Sequence, residues 1–167
     1  MRDETWPPMT ERGPVVTPAA IAAFEAKLGA KLPDDYADFL LRRNGGQPSP
    51  SHSIFTVKLG SRVDSTSINS LNSLDDTEEQ FNLEARWERA RSWPPKETIP
   101  VGYDSFGGAI VLVVDGPRRG EIWFEDGADP RPEGSNPRVD WFDRRDVCRL
   151  AGSFGEFMRG LRSDTNT

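Results

Sequence analysis

One histidine and one cysteine are all that 167 residues hold of the two side chains most often used for nucleophilic and metal chemistry. A single thiol excludes an intrachain disulfide framework and points to a reducing compartment, so a cytoplasmic location is expected. One imidazole and one thiol cannot build a structural zinc site from nitrogen and sulfur ligands, and no metal or cofactor is expected. Long apolar runs are missing too. The longest, such as Ala109 to Val114, fall far short of the ~20 residues that span a bilayer. The opening Met-Arg-Asp-Glu-Thr-Trp-Pro-Pro lacks the apolar stretch of a secretory signal. No membrane partner is expected. Positive charge is in deficit: Lys and Arg number 21 against 27 Asp and Glu, a net charge of −6. Such a surface repels phosphate backbones, so nucleic acid is not an expected partner, whereas a basic protein is.

What is present is one domain's length with clear punctuation. Residues 1–16 carry Pro7, Pro8, Gly13 and Pro14 with little periodicity and read as a flexible N-terminal tail on which Trp6 and Met9 offer docking side chains. Thr17-Pro18 supplies a capping oxygen and a first-turn proline, and Ile21, Phe24 and Leu28 form one helical stripe that Gly29 ends. A second helix is expected from Pro33, with Asp34 and Asp35 in its first turn and Tyr36, Phe39 and Leu40 as its apolar face. Asn44-Gly45-Gly46 stops it. Ile54 to Leu59 alternates as a strand. Residues 60–76 read as a polar stretch containing a short docked segment, and a third helix is expected from about Thr77 to Arg91.

The second half changes period. Strands are expected at Thr98–Tyr103, Ala109–Val114, Glu121–Glu125 and Arg138–Phe142, with the β-branched run of Ala109–Val114 buried on both faces. Ser153-Phe154-Gly155-Glu156 is a capping-box pattern before a last helix carrying Phe157, Met158 and Leu161. Helices at both ends and strands between them give an α+β fold. The expected arrangement is a single domain over 17–162 with a mainly antiparallel or mixed central sheet, helices packed around it, and a C-terminal tail at 163–167.

Few residues here suit catalysis. His52 sits in a Ser-Pro-Ser-His-Ser run with nothing local to orient its ring as a general base. Cys148 reads as a small buried hydrophobe. Gly102 to Gly108 has glycines at phosphate-loop spacing but Ala109-Ile110 where Lys and Ser or Thr should follow, so it reads as a tight bend. The acidic set Glu125, Asp126, Asp129 and Glu133 lacks the calcium-loop spacing. A carboxylate-dependent hydrolase is the weakest functional reading.

Four motifs in order carry a resemblance. Ile21-x-x-Phe24-Glu25-x-x-Leu28-Gly29-x-x-Leu32-Pro33-x-Asp35-Tyr36-x-x-Phe39-Leu40, followed by Asn44-Gly45-Gly46, is the first. Ile99-Pro100-Val101-Gly102-x-Asp104 with Gly107-Gly108 is the second; Gly120-Glu121-Ile122-Trp123-Phe124 is the third; Ala151-x-Ser153-Phe154-x-Glu156-Phe157-Met158 is the last. Together they resemble the SUKH superfamily, which holds yeast cell-wall-synthesis regulators of the Smi/Knr type and many bacterial immunity proteins. The resemblance implies an α+β domain without catalysis that binds and neutralises a cognate toxin domain of a polymorphic-toxin system, or a regulatory interaction scaffold like the fungal members. By charge, a basic nuclease would suit an acidic partner.

The expected partner-binding face is the sheet end where the 102–108 bend meets the exit after Trp123, with Tyr103, Asp104, Phe106, Glu125, Asp126 and Asp129 as its residues. Neighbouring strand ends bring such loops together. Lysine at both Asp104 and Asp126 is expected to slow association with a basic partner and leave stability nearly unchanged.

Overall fold

The computed structural model describes residues 6–90, 95–126 and 140–163. The two N-terminal helices form where their capping chemistry places them. Helix α1 (Pro18–Leu28) starts on Thr17, whose hydroxyl accepts from the Ala20 N–H at 3.2 Å, and stops at Gly29 with φ 71°. A helix ends readily on such a left-handed residue, and glycine adopts it without a Cβ clash. Glu25 accepts from the Leu32 N–H at 2.7 Å and so cinches the link to α2 (Asp34–Arg42). Pro33 serves as the N-cap of α2 rather than its first helical residue. Past Arg43, left-handed backbone runs through Asn44, Gly45 and Gly46, at φ 51°, 77° and 97°.

Six strands form one fully antiparallel sheet in sequence order: β3 (Ile54–Leu59), β4 (Arg62–Leu71), β5 (Thr98–Asp104), β6 (Ala109–Val113), β7 (Ile122–Glu125) and β8 (Val147–Ala151). The expected α+β domain is the observed one. A separate ribbon pairs β1 (Met9–Glu11) with β2 (Gln47–Pro48). The long strand β4 changes partner midway. Residues 62–67 pair with β3, while Ile68, Ser70 and Leu71 pair with β5. The sheet therefore curls, and the Lys58 backbone N–H reaches the Cys148 thiol on β8.

Several expectations change. The polar stretch at 60–76 is mostly β4, whose residues 62–65 are exposed and whose burial rests on Thr66, Ile68 and Leu71; a strand with so little apolar alternation leaves no period to read. The third helix is shorter: one 3-10 turn at Glu79–Phe81 precedes α3 (Leu83–Ala90), because Asn82 accepts from the Ala85 N–H and restarts the chain. Arg91 lies outside the described residues. The described part of the expected 138–142 strand is a 3-10 turn, Trp141–Asp143, capped by the Asp140 carboxylate. The last strand is β8 instead. Within the segment read as an N-terminal tail, residues 6–16 lie against the body. Trp6 and Val16 are buried, and the Trp6 indole donates to Asp38 at 3.0 Å.

The sheet is packed on both faces. On one, Ile110, Leu112, Ile122 and Phe124 join Ile21, Phe24, Phe39 and Met158 from the helices. On the other, Val111, Val113 and Val147 meet Trp141 and Phe142. Strand β6 is thus buried on both sides. Helix α4 (Phe154–Arg159) is capped by Ser153, which accepts from the Glu156 N–H at 3.1 Å. Its Phe154 ring lies 4.9 Å from both Tyr36 and Phe39. Truncating a ring so enclosed costs about 3–5 kcal/mol.

Candidate protein-binding site

The rim of the curled sheet is built from the β5–β6 turn. A bulge between Pro100 and Gly102 resets the alternation of β5, and the pairing of Gly102 with Ile110 and of Tyr103 with Ala109 puts Asp104 on the helix-covered core side and Tyr103 on the other. Asp104 is 5% exposed, and its carboxylate accepts from Thr66 Oγ1 at 2.8 Å, the Phe106 N–H at 3.1 Å and the Gly108 N–H at 2.6 Å. These bonds fold the turn over the acid. Gly108 is required there, because a Cβ would stand 2.4 Å from the Phe124 ring. The turn so held leaves Phe106 73% exposed. A buried, fully engaged carboxylate thus presents an unburied aromatic.

Phe106 borders a recess of about 320 Å³ walled by Val57, Leu59 and Phe124, with Asp64, Asp104, Asp126 and Arg62 at its polar side. Arg62 spans it, bonding Asp64 at 2.8 Å and Asp126 at 2.9 Å. The Asp126 N–H donates to the Asp146 carbonyl at 2.8 Å, which fixes the β7 exit. Three carboxylates against one guanidinium leave this recess net acidic.

The six residues expected at one patch divide. Asp104, Phe106 and Asp126 converge on the recess. Tyr103 and Glu125 fall on the opposite face, as strand alternation requires. Tyr103 lies under the Arg86 guanidinium, 4.2 Å from its ring centre. Burial pushes its phenol above the ordinary value, although Arg86 and Arg89 pull the other way. Glu125 accepts from the Trp141 indole. Asp129 lies outside the described residues. The β3–β4 hairpin adds Val57, Leu59, Arg62 and Asp64, outside the six expected residues. Its one local signal is Gly60-Ser61 between the two strands, a pair suited to a two-residue hairpin.

The residues that could suggest catalysis sit elsewhere. Cys148 is buried, and desolvation raises its thiol pKa, the reverse of what a nucleophilic thiol needs. His52 ends an exposed 3-10 turn, with Nδ1 2.8 Å from Ser51 Oγ. Among the described residues no cluster of three or more His, Cys, Asp or Glu could hold a metal ion. No helix among them is long and apolar enough to cross a membrane.

The motif acids and amides serve the scaffold. Asp35 accepts from the Gly155 N–H at 2.9 Å and ties α2 to α4. The Asn44 amide donates to the Pro14 and Leu74 carbonyls at 2.7 and 2.8 Å and accepts from the Leu74 N–H at 2.8 Å. A Cβ on Gly45 would lie 2.4 Å from the Asn72 carbonyl oxygen. Against known proteins, the model of the SMI1 / KNR4 family (SUKH-1) matches residues 15–160. No curated protein matches the chain.

Proposed function

The chain belongs to the SMI1 / KNR4 family (SUKH-1), and on that premise we propose that it is a non-catalytic immunity-type protein of the cytoplasm that binds and neutralises a toxin domain. The observation that carries this reading is Phe106. A large exposed ring, held by a rigid turn beside a net-acidic recess, has the make-up of an interface centre with a charged rim. Phe106 and Asp126 make the contact in this reading, and Asp104 shapes the turn that offers them. The opposite-face pair Tyr103 and Glu125 supports the rim from behind. The acidic balance favours a basic toxin, such as a nuclease whose substrate groove is positive.

The test is affinity capture from the source cell with the full chain as bait. The captured protein is then expressed with and without this chain. Growth arrest relieved by the wild type, and poorly relieved by Phe106→Ala, is the expected result. A captured toxin that this chain leaves active, or turnover of ester, phosphoester or glycoside substrates by the purified chain, overturns the reading.

A further inference from the structure

The β3–β4 hairpin turns through Gly60 and Ser61, with φ 62° at Gly60 and Leu59 opposite Arg62. A positive first turn residue followed by a negative one is the II′ hairpin, in which the flanking pair exchanges hydrogen bonds. Bonded and unbonded pairs then alternate. Arg62, Asp64 and Thr66 bond β3, and Val63, Ser65 and Ser67 turn their N–H and C=O groups away from it. Two contacts fix this register. The Ser67 carbonyl accepts from the Ser105 N–H at 3.0 Å, and Ile54, opposite Ser67, bonds Arg162 on its own outer side. Pairing with β5 begins only at Ile68. Among the described residues no backbone bond closes the outer edge at Val63 and Ser65, and both are exposed, Val63 at 61%. This open edge borders the recess and its exposed Phe106.

We propose that the Val63–Ser65 edge of β4 receives an extended segment of the protein partner as an added strand, with basic side chains of that segment entering the recess. The proposal rests on the protein-binding reading above and specifies its mode. Strand addition draws affinity from main-chain bonds and specificity from pockets for alternate side chains. The edge supplies the first at Val63 and Ser65, and the recess the second, with Val57, Leu59 and Phe124 for an alkyl stem and Asp64 and Asp126 for its charged tip. Charge selects the occupant. A second copy would bring the same three carboxylates and a net charge of −6 against themselves, so charged edge residues block self-pairing while suiting a basic strand.

The full chain is titrated with an octapeptide alternating lysine and valine, and with its glutamate–valine counterpart, while amide exchange is followed residue by residue. The lysine peptide should slow exchange at Val63 and Ser65 by at least about tenfold, and the glutamate peptide should not. Ser65→Pro removes an outward N–H, together with the hydroxyl that accepts from Arg162 Nη2 at 2.7 Å, while the β3 ladder keeps its bonds, and should weaken lysine-peptide binding at least about tenfold. Because the exchange measurement uses the unaltered chain, it decides even if that variant folds poorly. Unprotected amides at 1 mM peptide, a concentration at which only contacts weaker than about 4 kcal/mol are missed, overturn the proposal. Equal protection by both peptides does so too, as does a concentration-dependent dimer that protects the edge unaided. In the capture experiment, a toxin held equally by wild type and Ser65→Pro overturns the edge and keeps the immunity reading. Edge protection by the lysine peptide with no toxin neutralised keeps the edge and overturns the immunity reading.

Discussion

The turn after α2 and the turn between β5 and β6 use the same parts, a side-chain amide or acid followed within four residues by a glycine pair, to opposite ends. At 44–46 the polar side chain faces inward and the glycines admit neighbouring backbone: Asn44 holds Pro14 and Leu74, and Gly45 lies against Asn72. At 104–108 the acid also faces inward, but the turn it folds thrusts Phe106 into solvent. One turn closes the molecule and the other opens a surface. Similar local chemistry, read in sequence, does not reveal which.

The comparison can be broken at its strongest point first. Gly45→Val adds a Cβ 2.4 Å from a carbonyl oxygen at φ 77° and should destabilise by at least about 4 kcal/mol, enough that circular dichroism finds little folded protein at 37 °C. Asp104→Ala strands two amides and a threonine hydroxyl and should cost about 2–4 kcal/mol in urea unfolding. That revises the expected effect of lysine at Asp104 and Asp126, because the first of these acids is a buried acceptor and cannot be reversed in charge without harming the fold.

A smaller effect comes from Asp38, which ties Trp6 to α2. Burial alone would raise its pKa, but hydrogen bonds from Arg42 and Trp6 outweigh this and hold the carboxyl below the ordinary range. Its contribution is therefore present above the unfolded carboxylate value of about 4 and lost as pH falls through the lower folded value. Asp38 is half-buried, with 39% of its side chain still in solvent that screens the pair, so Asp38→Asn should cost less than about 1 kcal/mol at neutral pH. The difference from wild type should shrink toward zero when unfolding is repeated in strong acid. Smallest of all, Phe106→Ala should move stability by no more than about 0.5 kcal/mol while weakening the captured partner at least about tenfold. A large stability loss there would make the 104–108 turn a second closing device and erase the contrast.

The scaffold was legible because its signals are local. Thr17-Pro18, Gly29 and Ser153 announce helix ends, and Ala109–Val113 shows its double burial as an unbroken apolar run. The site was legible only in part. Asp104, Phe106 and Asp126 lie in turns that chemistry marks, but Arg62 meets Asp126 across 64 positions, a contact created by the curl of the sheet. The polar sequence of β4, exposed from Arg62 to Ser65, conceals the strand that makes that curl.

The Asn44 clamp also has a kinetic meaning. It joins Pro14, Asn44 and Leu74, each 30 positions from the next, so it can close only once α2 has ended and β4 has delivered the chain back to it. A latch that waits on two distant segments is expected to form after the main barrier to folding. Asn44→Ala should then leave the refolding rate nearly unchanged and accelerate unfolding, placing the clamp among the contacts that set the lifetime of the native state rather than the speed of its arrival.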